Sequence, residues 1–246
     1  MLLGVSLKAK LVYREIRKMT NLVLNYVPVP ETYKAFEGRN IDTMPELIKE
    51  GRTPLSAQGL MEKRLQVLSG SDAVKDSWWN IYFDTGDGIA YHPDGRIKVV
   101  TDAELLRGIN PKSRLNNGGL VLEDGVFDSL EGTEFSKNDV QRYAINMTLT
   151  EAEVTQNPIW LALARDEGLL QEYVGATFKQ AQERFNSYTN MGIYVYDAPE
   201  QAIMLTWVVN SIFINGNSSA DGYGRPGEGG GRLVGVLEQE ANITNK

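Results

Sequence analysis

Strand-like and helix-like rhythms occupy separate blocks of this chain, and that order constrains its fold most. From Trp79 to Thr101, apolar and aromatic residues come in short runs broken by Asp-Gly and Pro-Asp-Gly turns. From Thr150 to Asn186 the apolar spacing switches to the helical period, and after Gly192 alternation returns. Runs of strands followed by runs of helices predict an α+β fold rather than a helical bundle or a purely β protein. The sheet is expected to be mostly antiparallel, with strands near 79–101, 120–127, 193–214 and 232–237. Helices near 158–187 and at the N-terminus should pack it. No linker divides the 246 residues, so one domain is expected over 1–246.

Within that frame the local signals are specific. Residues 5–24 carry a helical rhythm, with a strand possible over Leu22–Tyr26, and Pro28–Asp42 reads as loop. Thr43-Met44-Pro45 should open one helix ending at Gly51. Thr53-Pro54 should open a second, with threonine as cap and proline at the first helical position. Strands are expected at 79–84, 88–92 and 96–101, the last two joined by His92-Pro93-Asp94-Gly95. A short helix at 102–108, a loop from Asn110 to Gly119 and a small hairpin of 120–122 with 126–127 follow. Thr150 with Glu153 has capping-box spacing, and Asn157-Pro158 repeats the cap-and-proline signal. Leu170, Val174, Phe178, Ala181 and Phe185 lie on one stripe of a helix over 168–187. The Gly-, Ser- and Asn-rich stretch 215–231 reads as a flexible loop and 238–246 as a frayed tail.

Composition narrows the chemistry. There is no cysteine and one histidine, His92. Disulfides, thiolate metal sites, cysteine nucleophiles and multi-histidine sites within one chain are therefore excluded. Any metal would be held mainly by oxygen, which suits Ca2+ or Mg2+. The net charge is −7; residues 1–75 carry twelve Lys or Arg against eight Asp or Glu, a balance of +4, which leaves −11 for the rest. An acidic body makes nucleic acid an improbable partner, with Lys8, Lys10, Arg14, Arg17 and Lys18 the one basic segment. The N-terminus runs apolar then basic, the reverse of a secretory signal, and no run of about 18 apolar residues exists to span a membrane. A cytoplasmic location is the expectation.

The candidate site residues cluster between Trp78 and Asp102. Asp84, Asp87, His92 and Asp94 are the catalytic candidates, and the three aspartates double as cation ligands. Asp84-Thr85-Gly86 after two aromatic residues resembles the signature of aspartic proteases, where two such loops share one proton between two carboxyls. Here there is one copy, and Asp87 adds a second acid. Tyr82 to Asp87, followed by Asp94-Gly95, resembles a strand end of acyl-adenylating enzymes, which implies a ribose-holding role for Asp87. The phosphate loop of that family is absent from the chain. Glu123, Asp124 and Asp128 form a second acidic turn region. In the 215–231 stretch, Gly229-Gly230-Gly231-Arg232 could cradle an anion, and Tyr223, Arg225 and Arg232 are the ligand-binding candidates. No motif names a reaction. The leading expectation is a non-enzymatic binding or assembly module that forms homo-oligomers. The alternative is a metal-assisted hydrolase built on Asp84, Asp87, His92 and Asp94.

Overall fold

The computed structural model describes residues 22–25, 32–144, 147–185, 190–211 and 218–237. The chain enters through strand β1 (Tyr33–Gly38), helix α1 (Asn40–Lys49), the short strand β2 (Thr53–Pro54) and helices α2 (Ala57–Gln66) and α3 (Asp72–Trp79). Strands β3 (Tyr82–Tyr91) and β4 (Ile97–Val100) follow. Next come helix α4 (Glu104–Arg107), strands β5 (Leu115–Asn116) and β6 (Gly119–Val121), helix α5 (Val126–Ser129) and strand β7 (Thr133–Phe135). Helix α6 (Lys137–Tyr143), strand β8 (Met147–Leu149) and helices α7 (Glu151–Thr155), α8 (Pro158–Ala164) and α9 (Glu167–Phe185) lead to the last strands. These are β9 (Met191–Tyr194), β10 (Ile203–Asn210), β11 (Ser218–Gly224) and β12 (Gly231–Val236).

The strands form one 12-stranded sheet with the backbone order β1-β12-β3-β10-β11-β9-β8. Its pairings are antiparallel except β9 with β11 and β12 with β3. The α+β class and the mostly antiparallel sheet follow the expectation. The C-terminal strand lies between β1 and β3, so the ends of the described chain meet inside the sheet.

Two apolar cores cover the two faces. The larger holds Trp78, Trp79, Trp160 and Trp207, all fully buried, beneath α2, α3, α8 and α9. Leu170, Val174 and Ala181 of the anticipated α9 stripe lie in it, with Phe178 packed alongside. The smaller core packs Met44 and Leu47 of α1, Leu106 of α4 and Phe127 of α5 against Met204 and Leu233. Each such large side chain contributes roughly 1.5–3 kcal/mol through removal from water. Arg64, fully buried, donates to the carbonyls of Trp78, Ile81 and Val209 and to the Tyr173 hydroxyl, at 2.8–3.2 Å, fastening α2 to both central strands and to α9.

Several elements differ from the sequence expectation. Residues 33–38 are a strand, not loop, because β12 supplies its partner far along the chain. Residues 22–25 form no strand, and the rest of the expected N-terminal helix lies outside the described residues, as does the tail from 238. Helix α1 starts at Asn40 and contains Pro45. Thr53-Pro54 pairs with β12, and the cap of α2 is Ser56, whose Oγ accepts from the Gly59 amide. Residues 126–129 are helical, and the hairpin instead joins β5 to β6 through Asn117-Gly118, both at positive φ (50° and 81°), the pair a type I′ turn requires. Two further corrections, at 82–91 and 218–224, shape the site described next.

Candidate functional site

The expected strands 79–84 and 88–92 are one continuous strand. Opposite β10, Gly88 pairs with Thr206 and Asp84 with Val208, so Thr85, Gly86 and Asp87 bulge against the single residue Trp207. The Asp-Thr-Gly-Asp run is a bulge in a buried strand rather than a turn. A bulge re-aims side chains, and here it sends the two aspartates to different places. Asp87 accepts from the amides of Ala57 and Asp102, each at 2.8 Å, and pairs with Arg165 at 2.6 Å. Burial pushes its carboxyl up, and the Asp102 amide and the Arg165 guanidinium oppose that push. These are structural ties among β3, α2 and the segment after α8.

Asp84 points to the other face. Its carboxylate accepts from the Arg232 amide at 2.5 Å and the Thr206 hydroxyl at 3.3 Å, and from the Asn40 side chain. Burial pushes it up to about 6, against these bonds.

The segment expected as a mobile loop supplies the rest. Ser218–Gly224 is a strand between β10 and β9. Val208 faces Asp84 on one side and Asp221 on the other, so the three side chains line one face in a row. Burial also pushes Asp221 up to about 6, opposed by bonds from Ser219 and Asn210, while its Oδ1 has no hydrogen-bond partner. Small residues make this packing possible. A Cβ at Gly222 would lie 2.6 Å from the Tyr91 hydroxyl, and one at Gly224 would lie 2.9 Å from Val208.

Together these residues wall a cavity of about 230 Å³, lined by Tyr82, Asp84, Val208, Asp221, Tyr223 and Arg225 and closed on one side by Gly229, Gly230 and Gly231. Tyr82 donates to the Gly230 carbonyl at 2.7 Å, pinning the glycine turn. Tyr223 donates to the Val195 carbonyl and stacks edgewise on Tyr196, 4.7 Å between centroids. Burial first, and Asp221 second, push its phenol up to about 12. Arg225 lies over the Tyr196 ring, bonds its hydroxyl, and pairs with Glu228 at 2.5 Å. The Arg232 guanidinium turns away to Glu37 at 2.9 Å and lies beside the Tyr82 ring. Of the three ligand-binding candidates, Tyr223 and Arg225 therefore line the cavity, and Arg232 reaches it through its backbone amide on Asp84.

His92 and Asp94 are elsewhere. The turn forms as expected, with Gly95 at φ 95°, and His92 Nδ1 stands 2.8 Å from Asp94. Slight burial raises the Asp94 carboxyl, but the Arg96 amide and guanidinium and His92 outweigh it and hold the group well below the usual range. His92 lines a separate cavity of about 240 Å³ with Glu123, Asp124, Asp128 and Glu200. Arg96 spans Asp94, Asp128 and Glu134 at 2.8–3.0 Å. The structure thus does not bring Asp84, Asp87, His92 and Asp94 into one concavity. Among the described residues no group of three or more His, Asp or Glu stands ready to hold a metal ion. No helix of the described chain is long and apolar enough to cross a membrane.

Asp221 escaped the sequence reading. Its signal was the alternation of Ala220, Gly222 and Gly224 with Ser219, Asp221 and Tyr223, a strand period hidden by glycine-rich composition.

No protein-family model matches the chain, and no curated protein matches it in sequence. A solved structure matches in fold. It is described as the accommodation of massive sequence variation in Nanoarchaeota by the C-type lectin fold, and it superposes with a TM-score of 0.60 at 16% identity, over 83% of this chain and 97% of that one. The chain therefore has a C-type-lectin-like fold.

Proposed function

We propose that this chain is a non-enzymatic binding or assembly module that self-associates, with the cavity of Tyr82, Asp84, Asp221, Tyr223 and Arg225 as its contact face. The observation that carries this reading is a concave stretch of sheet where polar side chains converge and where neither the Asp84 nor the Asp221 carboxyl makes an ion pair among the described residues, the Arg232 charge acting on Asp84 only from beyond contact. Interiors seldom leave buried charge unmatched unless a partner or a function requires it. A fold described elsewhere as accommodating massive sequence variation suits recognition, since the scaffold is separable from the contact residues.

Self-association has its own support. Ile48 and Leu105, 41% and 39% exposed, border a broad shallow groove with Leu120, Leu122 and Val126. Apolar surface of that kind is a usual mark of an interface.

Two experiments test the reading. Light scattering after size-exclusion chromatography should show a species larger than the monomer that Leu105→Glu dissociates; a clean monomer at high concentration removes the self-association. Binding to a panel of short peptides should be lost in Gly229→Trp, because a side chain at Gly229 meets no atom within 4 Å and can occlude the cavity without strain. Panel binding that survives Gly229→Trp, or no binding at all, removes the cavity as contact face.

A further inference from the structure

Asp84 and Asp87 are buried on the central strands, Asp221 beside them is half-buried with its Oδ1 shut away, and the three are matched differently. Asp87 meets Arg165 at 2.6 Å. Asp84 and Asp221 have no ion-pair partner among the described residues, and both line the same cavity. Neither nearby arginine brings its guanidinium into contact with them: Arg225 is held by Glu228 and Tyr196, and the Arg232 guanidinium, paired with Glu37, favours the Asp84 charge only from a distance.

We propose that the cavity receives a guanidinium group, the arginine side chain of a protein partner, held between Asp84 and Asp221 with Tyr82 and Tyr223 as its aromatic walls. This rests on the reading of the cavity as the contact face.

The spacing selects the ligand. Each aspartate stands directly across from Val208, so their Cβ atoms are about 10 Å apart, twice the usual cross-strand distance. One metal ion, with oxygens at roughly 2.3–2.6 Å, does not bridge carboxyls so placed. A planar guanidinium does, because it carries donors on opposite edges. A lysine ammonium, a compact point charge, would satisfy one wall only. The volume of about 230 Å³ also falls below the roughly 300–1,000 Å³ of sites for larger ligands, and fits the end of a single side chain. Asp221 Oδ1 is the acceptor left over for this purpose; it is shut off from water, and a small rotation about the soft terminal torsion of aspartate presents it to the cavity. The phenol rings of Tyr82 and Tyr223 add the attraction of a cation for an aromatic face.

The surroundings define the pH response. Asn40, Thr206 and the Arg232 amide face Asp84, whose charge the Arg232 guanidinium also favours from beyond contact; Ser219, Asn210, Tyr194 and Tyr223 face Asp221, with Arg225 and Glu228 at the rim. Both carboxyls ionise near pH 6, so capture of a cation strengthens as pH rises through that value.

Isothermal titration of the full chain with acetyl-Gly-Arg-Gly-amide at pH 7.5 tests this. Saturable binding is expected, about tenfold or more weaker for the isosteric neutral citrulline peptide and for the lysine peptide, because each loses a charge-assisted bidentate contact. Asp221→Asn should weaken the arginine peptide by about tenfold with the far-ultraviolet spectrum unchanged, and so should a shift of the wild type to pH 5. Equal binding of the citrulline peptide, unaltered binding to Asp221→Asn, displacement of the peptide by calcium, or no binding of the arginine peptide each overturns the inference. If the inference fails while the peptide panel still shows binding that Gly229→Trp abolishes, the contact-face reading stands. If that binding is absent as well, both fall.

Discussion

Buried aspartates give this protein its most testable residues. Asp221 titrates near 6 in the folded chain against 3.8 in the unfolded one, with burial the main cause. The folded state therefore holds more protons between those values, and stability falls as pH rises from about 4 to about 6. At pH 7.5 the buried charge costs on the order of 2–3 kcal/mol. Asp221→Asn should accordingly raise the unfolding free energy at pH 7.5 by about 1–2 kcal/mol, part of the gain being lost to an imperfect amide fit. Denaturant titrations at pH 4.5 and 7.5 should show the difference between the two conditions shrink in the variant. Asp87, also pushed up by burial, differs in having a cation partner. Arg165→Met strips its cation and leaves a buried carboxylate with two amides, so about 3 kcal/mol of stability should vanish at pH 7.5. The loss should be smaller at pH 5, where the carboxyl is more readily protonated, and a loss that did not change with pH would remove this account.

At the scale of elements, local signals succeeded where the partner is local. The Thr150 capping box forms, with Glu153 accepting from the Thr150 amide at 2.8 Å. Asn157 caps α8 by accepting from the amides of Ile159 and Trp160, and its Nδ2 also reaches the Tyr143 carbonyl at 3.1 Å. Asn157→Ala should therefore cost about 1–2 kcal/mol, read as a lowered urea midpoint at unchanged slope. The failures share a different cause. Thr53-Pro54 has the composition of a helix start, yet β12, nearly two hundred residues away, claims it as a strand. Ser218–Gly224 has the composition of a loop, yet its glycines are what lets β11 approach Tyr91 and Val208. Pairing, whether with a distant strand or an adjacent one, outweighs propensity in strands because a strand's stability lies in its neighbours.

For the whole molecule, the two cores share one sheet, with β3 and β10 contributing side chains to both. Neither core is complete without those strands, so they should unfold together. The four tryptophans are all in the larger core and report on it alone. Tryptophan fluorescence and far-ultraviolet circular dichroism should give one coincident urea transition, in keeping with a single domain. Two separated midpoints would show that the smaller core of α1, α4 and α5 is an independent unit.

The sequence by itself determined the α+β class, the antiparallel character of the sheet, the core stripe of α9, the His92–Gly95 turn and the exclusion of cysteine chemistry. Each follows from periodicity, capping or composition, which act within a few residues. Only the tertiary structure decided that the Asp84–Asp87 run is a bulge in a buried strand, that its two acids face different partners, and that Asp221 joins Asp84 across Val208. Those facts depend on strand register, and register is set by pairing: β3 with β10, more than a hundred residues apart, and β10 with its sequence neighbour β11, whose register shifts at a bulge.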